Sequence, residues 1–169
     1  ALDVNVGSGD DPLERQGLAH FLEHMLFLGT EKYPESGEYQ KFLDANGGGH
    51  NAYTSFEHTN YFFEVAPETF GEALDRFSQF FIAPLFTSKY VEREKHAVDS
   101  EYKAKIKEDG RRRDDVFKMT LNQAHPMSKF SVGSLEIFAE EKEGDLRNSL
   151  IDFYKKNYSA NIMGLVMLG

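Results

Sequence analysis

The stretch GLAHFLEHMLFLG, from Gly17 to Gly29, sets two imidazoles and a carboxylate inside an otherwise apolar run. Its apolar spacing is helical over about Gly17 to Leu28, and Gly29 suits a position just past a helix end. On a helix, residues three and four apart share a face. His20, Glu23 and His24 therefore line one stripe, while Leu18, Phe21, Leu22, Met25 and Leu26 cover much of the rest. Two readings follow. The histidines are either partly buried and satisfied by the neighbouring acid, or they are gathered for chemistry.

Outward from this helix, ALDVNVGS reads as a strand ending in a dense turn signal from Gly7 to Pro12. Downstream, Ser36 to Ala45 reads as a second helix with Tyr39, Phe42 and Leu43 inward, stopped by three glycines. HNAYTSFEHTNYFFEV then gives two short strands around Phe56-Glu57-His58, with Tyr61, Phe63 and Val65 on one face. Pro67 opens a third helix to about Phe81, with Phe70, Leu74, Phe77 and Phe81 inward. A charged fourth helix is expected from Ser88 to about Asp109. Gly110 is expected to interrupt before a fifth helix from Asp114 to Asn122. HPMSKFSVGS reads as loop, Asp145 to Lys156 as helix and NIMGLVML as a strand. Helices between hairpins and single strands indicate an α+β fold: a mixed, largely antiparallel sheet with helices packed on one face.

The 169 residues are 40% hydrophobic and 14% aromatic, a globular composition sufficient for one core. Cysteine is absent, which removes disulfides, thiolate metal ligands and thiol nucleophiles. A net charge of -9 and a pI near 5.1 argue against nucleic acid as a partner. Arg111-Arg112-Arg113, without interleaved aromatics, reads as a solvated helix start. The charge balance better suits a cationic or extended peptide. No run of 18 apolar residues exists, so no membrane span is expected.

Zinc held by two imidazoles commonly takes a third side chain and leaves a position for water. A carboxylate beside it can act as the base, and Glu23 is suitably placed. With no cysteine, the third ligand should be Asp, Glu or His. His50, His58, His96 and His125 are candidates by residue type. On the fourth helix, Val91, Glu94, Ala97, Val98, Glu101 and Lys105 follow one inward stripe, whereas Glu92, Lys95, Asp99 and Lys103 read as solvated charge. Glutamates on a buried stripe need neutralising, by a metal with its histidines or by lysines and arginines. The pattern leaves both open.

HFLEHMLFLGTEKYP, GGGHNAYTSFEHTNYFFEV and REKHAVDSEY, followed by HPMSKFSVG and YSANIM, resemble the N-terminal catalytic domain of the pitrilysin and insulin-degrading enzyme family of zinc peptidases. The resemblance runs over nearly the whole chain. It implies that His20 and His24 are zinc ligands and that Glu23 is the base that activates water. It further implies that Glu101 is the distal ligand and that Glu94 is the carboxylate orienting a histidine. Asn51 and Ala52 match edge-strand positions whose backbone pairs with an extended substrate, by β-augmentation.

Family members of this kind have four homologous domains in two halves enclosing a chamber, and the far half supplies an Arg and a Tyr. Residues 1–169 are therefore expected to be an incomplete N-terminal domain of a longer protein, with the remaining domains and peptide substrates as partners. The chain also starts without Met and runs strand to strand, which fits a fragment. The implied activity is that of a Zn(2+)-dependent metalloendopeptidase. The alternative is a catalytically incomplete peptide-binding fragment or scaffold. S-ribosylhomocysteine lyases share the metal motif but need a cysteine that this chain lacks. The resemblance implies the periplasm for a bacterial pitrilysin, and otherwise the cytoplasm or an organelle.

Overall fold

The computed structural model describes residues 1–139 and 145–169. In chain order these form β1 (Leu2–Val4), α1 (Leu18–Leu26), α2 (Glu38–Ala45), β2 (Gly49–Thr54), β3 (Thr59–Glu64), α3 (Phe70–Ser78), α4 (Ser88–Lys105), α5 (Asp109–Thr120), α6 (Leu146–Asn157) and β4 (Met163–Leu165), with short 3-10 turns between. The strands make one sheet in the order β2-β3-β1-β4. Every pairing is antiparallel, with Leu2 opposite both Tyr61 and Leu165, and Ala52 opposite Tyr61. The fold is α+β as expected, and among the described residues every strand pairing in the sheet is antiparallel.

Period-two alternation decides which face of the sheet the helices cover. Val4 and Tyr61 are fully buried, whereas Asn51, Tyr53 and Phe62 face out. Against the inner face lies α1, with Leu18, Ala19, Phe21, Leu22, Met25 and Leu26 all buried. Burying the Leu, Phe and Met side chains among these stabilises the fold by about 1.5–3 kcal/mol each. Phe77 and Phe80 on the α3 side extend the same core towards Tyr39 of α2. Pro67 opens a 3-10 turn, α3 follows, and a second 3-10 turn carries the chain to Phe81. The expected third helix is therefore one α-helix flanked by two tighter turns.

The start of α1 is held from a distance. Gly17 sits at φ +93°, and the Asp11 carboxylate accepts from the Gly17 N–H at 2.6 Å and the Ala19 N–H at 2.7 Å. These amides open a helix and have no acceptor within it. Burial pushes the Asp11 carboxyl up to about 7, against the opposing pull of those two amides and of Lys129.

On α4, the expectations for two side chains and for the helix end fail. Ala97 is exposed and Asp99 is buried, although Ala97 was expected inward and Asp99 solvated. The segment from Ser131 to Phe138 crosses that flank, and the Asp99 carboxylate accepts from the Leu135 N–H at 3.1 Å while binding Lys103 at 2.6 Å. The helix also ends at Lys105, and α5 begins at Asp109 with Gly110 inside its first turn. Early-turn amides have no intrahelical acceptor, so a glycine there interrupts nothing. Among the described residues, no helix is long and apolar enough to cross a membrane.

Candidate metal centre

Two helices and one strand edge meet at a cleft of about 900 Å³. Helix α1 presents His20, Glu23 and His24 to it, as the shared-face spacing requires. Helix α4 packs beside α1 and contributes Glu94 and Glu101, two turns apart on its inward stripe. Strand β2 forms a third wall with Asn51, Ala52, Tyr53 and Thr54.

His20 Nε2 and His24 Nε2 lie 3.3 Å apart. Glu101 Oε2 is 3.7 Å from the first and 3.5 Å from the second. The opposite ring nitrogens are both committed. His20 Nδ1–H donates to the Val132 carbonyl at 2.8 Å, and His24 Nδ1–H donates to Glu94 Oε1 at 3.0 Å. A carbonyl can only accept, and an ionised carboxylate likewise, so each ring carries its hydrogen on Nδ1. The Nε2 lone pairs are thereby turned inward, towards each other and a carboxylate oxygen. Three electron-rich atoms facing one another at these distances call for a cation. A pair of imidazoles and a carboxylate is a donor set suited to zinc, with hydrogen bonds behind both rings.

The site's carboxylates favour positive charge beside them, which a proton on His24 Nε2 supplies as a metal ion would. Burial lowers the His24 pKa, but the carboxylates of Glu101 and Glu94 outweigh it and push it up to about 9. Burial lowers that of His20, with His24 adding to the effect. Hydrogen bonding to His24 holds the Glu101 carboxyl far below its usual range, against its burial, with help from Lys105. Glu23 is 7% exposed, and burial raises its pKa although the Thr54 hydroxyl donates to Oε2 at 2.5 Å.

Of the four histidines considered as alternatives, none joins this group among the described residues. His50 lines the cleft but packs on Phe27 and Tyr39, with ring centroids 5.1 and 5.3 Å away. His58 packs edge-on to Tyr53, and His96 is exposed. His125 stacks on Phe56 and accepts from the Met127 N–H. The lysine and arginine partners considered for the two glutamates are also present. Glu101 Oε1 binds Lys105 at 2.6 Å, and Glu94 Oε2 is 3.7 Å from Arg93. Each carboxylate thus divides its oxygens, one towards a cationic side chain and one towards the histidines.

Asn51 and Ala52 sit on β2, an edge of the described sheet. The Ala52 N–H takes no partner from β3 but donates to Asn51 Oδ1 at 2.9 Å. Thr54 and the Val132 carbonyl were missed by sequence reasoning. Thr54 had a signal, since it shares a strand face with Ala52 two residues before it. Val132 had none, because it acts through its backbone.

A family model described as insulinase, peptidase family M16, matches residues 1–132. The insulin-degrading enzyme of Homo sapiens is 47% identical over the whole chain, which covers 17% of that protein. Insulin-degrading enzyme-like 1, peroxisomal, of Arabidopsis thaliana is 48% identical over the whole chain, which covers 18% of it. A crystal structure of pitrilysin superposes with a TM-score of 0.92 at 42% identity, over 96% of this chain and 17% of that one. The chain thus spans about a sixth of the length of the curated relatives it matches. Over that sixth the match extends from sequence to backbone, and the chain belongs to the insulinase family of peptidases, family M16, whose members are zinc metalloproteases.

Proposed function

We infer that these residues form the zinc-binding and catalytic part of a metalloendopeptidase, within an incomplete N-terminal domain of a longer chain. The observation that carries this reading is the convergence of His20 Nε2, His24 Nε2 and Glu101 Oε2, with both Nδ1 hydrogens engaged elsewhere. His20, His24 and Glu101 hold Zn(2+), and Glu94 orients His24. When bound, zinc supplies the positive charge that lowers the pKa of a water and polarises a peptide carbonyl.

Glu23 is the base. Burial raises its proton affinity, which suits a carboxylate that must accept a proton near neutral pH. It takes the proton of the attacking water as the oxygen bonds to the carbonyl carbon. It then delivers that proton to the amine nitrogen as the C–N bond breaks. The Thr54 hydroxyl holds one Glu23 oxygen and leaves the other free for this transfer. Along β2, Asn51 and Ala52 receive an extended peptide by main-chain pairing, for which the Ala52 N–H exchanges its Asn51 partner for a substrate carbonyl. The rest of the longer chain completes the cleft. A location in the cytoplasm or an organelle fits the relative named as peroxisomal.

The test is made in the full-length protein. Glu23→Gln should keep zinc and lower the rate by about 10²–10⁴, the range for general acid–base catalysis. His24→Ala should lose both zinc and hydrolysis. Near-normal turnover by the Glu23 variant would contradict the assignment of the base. Zinc without peptide hydrolysis in the unsubstituted protein would favour a peptide-binding scaffold.

A further inference from the structure

HPMSKFSVGS, read from sequence as loop, supplies neither a ligand nor the base, yet it touches both helices that carry the site. We propose that the strap from Lys129 to Phe138, which begins within this stretch, is a positioning element for the metal centre and a determinant of its zinc affinity. The proposal rests on His20, His24 and Glu101 being the zinc ligands.

Its contacts with the start of α1 are specific. Lys129 Nζ donates to the carbonyls of Gly9 at 2.9 Å and Asp11 at 2.6 Å. The Phe130 N–H donates to Gln16 Oε1 at 2.7 Å. Arg15, buried, donates from Nη1 to the carbonyls of Ile137 and Ala139, both at 3.3 Å. At the centre, Gly17 at φ +93° meets Gly133 at φ +92°, and a Cβ on Gly17 would lie 2.3 Å from the Gly133 nitrogen. Two backbones therefore touch where side chains have no room. That contact sets the Val132 carbonyl against His20 Nδ1.

The same strap holds α4. The Leu135 N–H donates to Asp99, two residues before Glu101, and Phe130 packs edge-on to Tyr102, the residue after it. At its far end Phe138, fully buried, packs on Phe21, the residue after His20. One segment thus fixes the ring hydrogen of one ligand and ties together the two helices that carry all three. This explains the burial of Asp99, for which neither the base nor the ligands give a reason. Partners behind metal ligands commonly contribute ~10–100-fold to metal affinity.

The experiment compares Gly133→Ala, Lys129→Met and Lys129→Arg in the full-length protein, with His24→Ala as the reference for loss of the site. Zinc affinity is read by competition with a chromophoric chelator at one fixed pH. Cobalt(II) absorption spectra and the melting of the zinc-free protein are recorded alongside. A Cβ on Gly133 would lie 2.3 Å from the Phe138 ring, so Gly133→Ala must displace that buried ring or the strap backbone beside Val132. Gly133→Ala and Lys129→Met are expected to bind zinc ~10–100-fold more weakly, with altered cobalt spectra, under conditions where the zinc-free melt, lowered in both, shows the protein still folded. Lys129→Arg should restore most of the affinity. Should Gly133→Ala fail to fold, the two Lys129 variants decide. Parental zinc affinity in folded Lys129→Met overturns the proposal alone, provided His24→Ala abolishes binding. Zinc retained by His24→Ala overturns the ligand assignment, and the strap's role with it.

Discussion

Helices α1 and α4 build one site from opposite kinds of sequence. Six of the nine residues in α1 are apolar and buried, and its only polar side chains are the three that face the cleft. In α4 charged residues dominate, and just Val91, Val98 and Asp99 are buried. On an apolar helix a polar residue stands out, because burying it needs a reason. On a charged helix most charges are solvated, and the few with a purpose look like the rest. The contrast teaches where sequence carries information about a site: in departures from the local background.

That contrast can be tested by substitution, with local opening read from amide hydrogen exchange of each helix in the full-length protein. The largest effect should come from α1. Leu22 is fully buried, and Leu22→Ala should lower the opening free energy of α1 by about 2–5 kcal/mol, through lost transfer energy and a residual cavity. An effect as small as that of a surface substitution would mean that α1 is not the centre of the core.

Next comes the pH dependence of the start of α1. The Asp11 carboxyl is raised from 3.8 to about 7 by burial, so the folded chain binds its proton more tightly than the unfolded chain does. Its contribution to stability is full below the unfolded value and is lost as pH rises towards 7. Asp11→Asn should flatten the opening free energy of α1 across that window. An unchanged slope would show that the two amide donors and Lys129 keep the carboxylate ionised.

Smaller again is Asp99→Ala on α4, which leaves the Leu135 N–H without its acceptor and should cost about 1–3 kcal/mol. Smallest is Glu92→Ala. Among the described residues the exposed Glu92 pairs with Lys95, one turn on along the same helix, and its removal should stay below about 1 kcal/mol. Equal effects of these two would mean that the strap does not distinguish one face of α4 from the other.

The same contrast explains what could be read from the sequence. The stripe of His20, Glu23 and His24 was legible because six apolar neighbours define the phase of α1. The inner face of β3 was legible from the alternation of Tyr61 and Phe63. Glu94 and Glu101 were legible as a spacing, although their roles came only through the family resemblance. Asp99 was not, since its burial depends on a segment more than thirty residues away in sequence. The bounds of α5 were also hidden: none of its residues is buried, so no periodic apolar face marks where it starts or stops. The Val132 carbonyl was illegible in principle, because every residue has one.

The central claim is that α1 and α4 together hold one zinc ion. Anomalous diffraction collected at the zinc edge from crystals of the full-length protein tests it most directly. One peak is expected, about 2.0–2.2 Å from His20 Nε2, His24 Nε2 and a Glu101 carboxylate oxygen. A zinc peak bound by other residues, with the Glu101 side chain turned to solvent, would contradict the account.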